Sequence, residues 1–341
     1  MKILSWIALA LLTSLPLTAQ DDFWDEEDAR KACEPFLRYL PGPAGRPTDA
    51  DRKTFEREKN CFGHFYDPDG RPEYDKARRC CLVRGDCNRE LAMIFANGWN
   101  TPRDLGAAMY FLCRAEDEMA PAEQWSMLQF VDGLRAGKEK GNLDYCEHVT
   151  SGMGAGWCAS VELDQKRAEW ERRAAAVERT LKPEARPAFA ALRKAMDDLA
   201  NADANYMAEP NRGGTIHSAV VLSSQVERND DLLATLERYV QKRAPAATPD
   251  ALQKADAALN TAYKAILAQA KADDKEYETG TAGQDVLRDA QRAWIPYRDA
   301  WITFYRLRWK GAAPAEALDR EIAAALTEKR TRELNELGAE P

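Results

Sequence analysis

The sequence predicts an all-α protein: a disulfide-bonded helix-turn-helix repeat module followed by two short helical bundles. Three observations carry that prediction. Apolar residues recur at helical spacing in six segments, 159–181, 187–207, 216–243, 249–272, 284–310 and 315–337. Residues 87–115 show the same period in two shorter runs, divided by a glycine and a proline. All eight cysteines lie between Cys33 and Cys158. The first part can therefore be stapled by disulfides, whereas the second must be held by helix packing alone.

The chain opens on what reads as a signal peptide, residues 1–20. Lys2 supplies a positive start and Ile3 to Leu12 an apolar run too short to span a bilayer. Leu17-Thr18-Ala19 offers a small residue for cleavage near Ala19 or Gln20. No cysteine sits at that junction. The mature chain is thus expected in the periplasm or secreted, not as a lipoprotein, with no stable membrane insertion. The net charge is −8, from 48 basic and 56 acidic side chains, and becomes one unit more negative once Lys2 is removed. An acidic exported chain is poorly suited to nucleic acid or an anionic membrane, and better suited to a basic partner.

Residues 21–145 form the cysteine-rich module. Its first stretch, D-D-F-W-D-E-E-D-A-R, reads as a solvated helix start. Residues 41–49, rich in proline and glycine, read as a loop, and Asp67-Pro68-Asp69-Gly70 as a turn. Beyond these, Leu91, Ala92 and Phe95 share one helix face, Gly98 ends that helix, and Pro102 and Asp104 open the next. Ala108, Phe111, Leu112 and Ala115 mark the second helix's packing face, with small residues that allow a close crossing. This pair resembles a Sel-one-like repeat, a relative of the tetratricopeptide repeat, with Asn100 where that family usually has glycine. Residues 73–81 look like the tail of a degenerate preceding unit. Antiparallel helices would bring Cys87 and Cys113 together, so that bridge is expected. Adjacent Cys80 and Cys81 seldom bond each other; each needs its own partner, with Cys61 one candidate.

The C-terminal part is read as two units, 146–244 and 248–337, joined by a linker at Ala244–Pro249. Gly152, Gly154 and Gly156 suggest a flexible loop at the start of the first unit. Thr248-Pro249-Asp250 is a strong helix start for the second. Leu192-Arg193-x-Ala195 matches Leu287-Arg288-x-Ala290, with Leu199 and Tyr206 falling opposite Trp294 and Trp301. That echo suggests a divergent repeat. The alternative is one long domain whose opening and closing motifs are separated by an insertion.

Leu287 to Trp301, L-R-D-A-Q-R-A-W-I-P-Y-R-D-A-W, is the most distinctive stretch. Leu287, Ala290, Trp294, Tyr297 and Trp301 share one face, and Pro296 inside the helix should kink it. With Leu259-Asn260-x-x-Tyr263 before it, and Gln291 and Arg298 within it, this pattern resembles the lysozyme inhibitor LprI family. Cys146-x-x-x-Thr150 followed by Cys158-Ala159 is similar to the opening of such domains, and Leu326-Thr327-x-x-Arg330 is a weaker echo. A Cys146–Cys158 bond is expected, closing a short loop. The chain departs from the family in Ile302, where a cysteine often follows, and in the appended repeat module.

The aromatic run Trp294, Tyr297, Trp301, Phe304, Tyr305 and Trp309 reads as a core face, with Trp309 the member expected to reach the surface. Catalytic signals are absent. Histidines are few, Cys61-x-x-His64 and Cys146-x-His148 fall short of a four-ligand zinc site, and no nucleophile or phosphate-loop motif occurs. No cofactor or metal is expected. The loop Glu209-Pro-Asn-Arg212-Gly-Gly-Thr215 offers Arg212 as a side chain that can enter a cleft of catalytic carboxylates. The resemblance implies a protein-binding protein that inhibits lysozyme or a related peptidoglycan hydrolase by occlusion, the hydrolase being a host enzyme or a competitor's toxin, the latter making it an immunity protein. The alternative is a non-catalytic periplasmic scaffold whose helical repeats recruit an envelope protein.

Overall fold

The computed structural model describes residues 26–337; residues 1–20, read above as a signal peptide, and the first acidic residues lie outside them. Among the described residues there are thirteen α-helices and no β-strand. The N-terminal part holds α1 (Glu26–Leu37), α2 (Asp49–Phe55), α3 (Phe62–Phe65), α4 (Tyr74–Arg84), α5 (Asn88–Asn97), α6 (Leu105–Leu112) and α7 (Pro121–Arg135). The C-terminal part holds α8 (Gly152–Arg179), α9 (Arg186–Ala208), α10 (His217–Gln241), α11 (Ala251–Glu276), α12 (Ala282–Arg308) and α13 (Ala315–Leu337). No helix among the described residues is long and apolar enough to cross a membrane.

The helix pair at 87–115 forms where its punctuation places it. Gly98 closes α5 in the left-handed region, at φ 70°, and Asn100 follows at φ 52°, a conformation asparagine tolerates better than most side chains. Asp104 caps α6 by accepting the Ala107 N–H at 2.8 Å and also takes the Tyr39 hydroxyl at 2.9 Å. Leu91, Ala92, Phe95, Ala108, Phe111, Leu112 and Ala115 are all buried in one core.

The disulfides correct one expected pairing. Cys87 bonds Cys81 and Cys113 bonds Cys33, so the Cys87–Cys113 bridge does not form. The reason is local. Gly85, at φ 73°, ends α4 and turns the chain so that Cys87 meets the helix it has just left. Cys113 instead faces α1, which packs on α6. Cys80 takes Cys61, and Cys146 takes Cys158 across 12 residues. The sulfurs of Cys61, Cys81 and Cys87 lie within 4.8 Å of one another, yet each is committed to a disulfide. Of the paired spacings that suggested zinc, Cys61 and Cys146 are likewise spent on bridges, while His64 approaches Glu73 at 3.4 Å.

A buried carboxylate joins the two parts. Glu123 on α7 accepts the N–H groups of Ala120 and Ser151, the Ser151 hydroxyl and the Tyr145 hydroxyl at 2.7–2.9 Å. Burial alone would raise its pKa, but these donors hold it below the ordinary carboxylate range. Ser151 in turn caps α8. Gly152, Gly154 and Gly156 are therefore the first turns of a helix, not a flexible loop. A Cβ on Gly154 would sit 2.6 Å from the Tyr145 hydroxyl, and one on Gly152 would sit 2.4 Å from the Thr215 backbone. Gly152 and Gly154 serve close approach.

From Ala174 to Leu334, the helices share one apolar core. α12 lies against α9, α10 against both α8 and α9, and α11 against α13. Helix α11 begins at Ala251, later than the Thr248 cap suggested: the Thr248 hydroxyl bonds the Asp250 carboxylate at 2.7 Å in a turn that precedes the helix.

Candidate functional site

The aromatic helix is a core element. Trp294, Tyr297, Trp301, Phe304 and Tyr305 are each at most 2% exposed. Leu259 joins the same core, Tyr263 packs at its edge, and Asn260 faces solvent. Arg298 lies 5.2 Å over the Trp294 ring and reaches the Asp299 carboxylate at 3.0 Å, so it screens the indole from water. Helix α12 runs unbroken through Pro296.

Behind this aromatic face lies a network of charges that four helices supply. Arg330 on α13 forks onto Asp203 of α9 at 2.9 and 3.1 Å, donates to Glu333 at 3.2 Å, and reaches the Gln291 side-chain carbonyl of α12 at 3.3 Å. Arg228 on α10 forks onto Glu333 at 2.8 and 3.0 Å, meets Asp203 at 2.8 Å, and donates to Asp231 at 2.9 Å. Lys329 bonds Asp231 at 2.6 Å. Arg330 is 2% exposed. Two buried guanidinium groups thus hold shared carboxylates in bidentate geometry, the form in which such pairs are strong. Gln291, Trp294, Tyr297 and Arg330, picked out by sequence motif, converge here. Asp203, Arg228 and Glu333 were not anticipated. Arg228 and Glu333 had as signal only an acid–base spacing of three residues, to Asp231 and Arg330, which ordinary helix surfaces share, and Asp203 had none.

Glu333 offers a direct check on this network. Burial pushes its pKa up, but Arg228, then Arg330 and Lys329, outweigh that and hold it at about 2. The unfolded carboxyl titrates near 4.3 or so, about its ordinary value. The folded value is the lower one, so the stabilisation is complete above the unfolded pKa and is lost as pH falls through the folded one. Glu333→Gln is accordingly expected to melt well below the parent at neutral pH. The gap should narrow steadily on acidification between about pH 4 and pH 2, as thermal melts across that range would measure.

Over the network the surface opens into a depression of about 310 Å³, walled by Asp203, Tyr206, Met207, Glu227, Asp231 and Glu336. Arg228, Arg330 and Glu333 form its floor. Both floor arginines are neutralised, while Glu227 and Glu336 stand exposed at the rim. The depression therefore presents net negative charge around a patch of apolar surface.

Arg212 is exposed, and Trp309 is the one member of the aromatic run that is not fully buried, but each is held within the fold. Arg212 folds back onto Glu209, donating from Nε and an Nη at 2.6 Å each, so its charge is matched within its own loop. Trp309 is half-buried: its indole N–H donates to the Tyr239 carbonyl at 3.0 Å and its ring packs beside Tyr305. Helix α12 ends at Arg308 and turns Trp309 back toward α10, which covers it.

Residues 237–334 match the family described as Lysozyme inhibitor LprI. That segment runs from late α10 through α13. It carries Gln291, Trp294, Tyr297, Arg330 and Glu333, but not Asp203 or Arg228, nor the opening at 146–162. An uncharacterized protein of Rhizobium meliloti (strain 1021) is 40% identical over 87 residues, covering 24% of this chain and 63% of the relative. The chain thus spans just under two thirds of that relative's length. No solved structure matches.

Proposed function

We propose that this chain is an exported protein-binding protein that inhibits lysozyme or a related peptidoglycan hydrolase. It blocks the substrate cleft and performs no catalysis. The observation that carries this reading is the match of residues 237–334 to the lysozyme inhibitor family. Four disulfides support an oxidising compartment.

The acidic depression between α9, α10 and α13 is the docking surface this reading favours. A basic hydrolase would be steered to it by charge and would place an arginine or lysine among the rim carboxylates. Arg212 is a secondary contact. To enter a carboxylate-lined cleft it must exchange Glu209 for the hydrolase's own acids, which lowers the net gain.

The test is inhibition of a panel of lysozymes by the purified, oxidised mature protein. Glu227→Lys/Glu336→Lys is expected to weaken inhibition of a basic lysozyme by roughly tenfold or more and to flatten its salt dependence, because rim charges act chiefly on association. Arg212→Glu should have the smaller effect. If the rim variant inhibits as well as the parent, the docking surface lies elsewhere. If no lysozyme is inhibited at all, the inhibitor reading fails, and the helical-repeat module at 22–145 becomes the region to test for an envelope partner.

A further inference from the structure

A second concavity lies away from the acidic depression, outside the segment that matches the inhibitor family. Helices α8 and α9 both pack on α10 but scarcely touch each other. A cleft of about 450 Å³ remains between them, within the range of small-molecule sites, about 300–1,000 Å³. Its floor is apolar: Leu163, Ala174, Met196, Leu233 and Leu236 are each at most 6% exposed.

One wall is built with unusual rigidity. Trp170 lines the cleft, and its indole N–H donates to Asp230 at 2.7 Å. Lys166 bonds the same carboxylate at 3.1 Å, and Arg173 forks onto Glu237 at 2.9 Å twice. This ladder zips α8 to α10 and fixes the plane of the Trp170 ring. Across the cleft, Arg193 of α9 pairs with Glu171 of α8, one contact at 3.1 Å.

The rim carries amides rather than net charge. Arg167 and Arg193 are balanced by Glu171 and Asp197. The side-chain amides of Asn201 and Gln225, and the Asp197 carboxylate, have no hydrogen-bond partner among the described residues. Asn229 uses only its amide N–H₂, toward the Gln225 backbone carbonyl at 2.9 Å, which leaves its side-chain oxygen open. A balanced rim gives no advantage to an ionic ligand. An apolar floor beside a fixed indole favours a ligand with C–H faces. Amides and a carboxylate around the edge pair with groups that both donate and accept, which is what hydroxyls do. A sugar ring combines these properties.

We propose that this cleft binds a short uncharged saccharide, with ring faces on Trp170 and the Leu163–Met196–Leu233 floor and hydroxyls on Asn201, Gln225, Asn229 and Asp197. The site does not depend on the inhibitor reading and is tested without any hydrolase. The full chain, labelled with ¹⁵N, is titrated with chitotriose and separately with maltotriose, and the Trp170 indole and side-chain amide signals are followed. Saturable, concerted shifts in the high micromolar to millimolar range are expected with at least one of them. Asn201→Ala/Gln225→Ala should weaken binding by about tenfold while leaving the melting temperature nearly unchanged, since those amides make no hydrogen bond within the fold. Trp170→Phe keeps an apolar ring and tests whether the indole face is needed. The absence of saturable shifts with both sugars, equal binding by the double variant, or saturation by an uncharged tetrapeptide alone would overturn the proposal.

Discussion

Replacing Arg330 with methionine is expected to lower the unfolding free energy of the C-terminal helices by about 3–5 kcal/mol. Methionine fills similar space, so the loss isolates the charge. Without Arg330, Asp203 keeps only Arg228, Glu333 loses one donor, and the Gln291 carbonyl loses its contact. Asp203 and Glu333 are mostly buried, so water reaching them from the depression replaces only part of what the guanidinium supplies. Arg330→Lys should fall between parent and methionine, because a lysine cannot make the paired bonds to Asp203. Asp203→Asn combined with Arg330→Met should cost less than the two single changes added together, since each single change strands the other's partner. Chemical denaturation of the parent, the three single variants and the double variant measures all of this. Equal stability of the methionine variant and the parent would mean that the network has no net stabilising role.

Removing the Cys33–Cys113 bridge is the other large effect. The bond closes 80 residues of sequence, and by chain-entropy reasoning a loop of that size contributes about 4–5 kcal/mol. It is also the tie that pins α1 to α6. Cys33→Ala/Cys113→Ala should therefore loosen the N-terminal core while α9–α13 remain protected, because no cysteine lies among those helices. Hydrogen exchange read by peptide would show faster exchange in α1, α5 and α6 and little change in α12. By contrast, Cys81–Cys87 spans only 6 residues and should matter less on the same reasoning, since short loops lose little freedom when closed. Uniform loosening of the whole chain would show instead that the two cores unfold as one.

Much of the fold was legible because helices are local. Gly98 and Asp104 mark their boundaries by chemistry that acts within a few residues, and the buried face of α12 is set by period alone. The misreadings share a different cause. The glycines at 152–156 look like a loop until the Tyr145 hydroxyl and Glu123 carboxylate are seen pressing on Gly154 and the Thr215 backbone on Gly152. Cys87 and Cys113 each had a plausible partner by helix geometry, but a left-handed Gly85 and the packing of α1 chose differently. The exposure of Arg212 follows from its loop, but the acid that restrains it, Glu209, is seen only in the fold.

What the sequence by itself determined was the class of the protein, the separation of a cysteine-stapled part from a cysteine-free one, and the aromatic helix that organises the second core. Period and composition suffice for these, because they depend on which residues must leave water. Only the tertiary structure decided that Asp203, Arg228, Arg330 and Glu333 meet at one point, and that α8 and α9 stand apart over α10 to leave a cleft. Up to 130 residues separate the members of that charge network. A charge on a helix carries no local mark of whether it will be solvated or enclosed, so nothing short of the folded chain could distinguish these side chains from the many others like them.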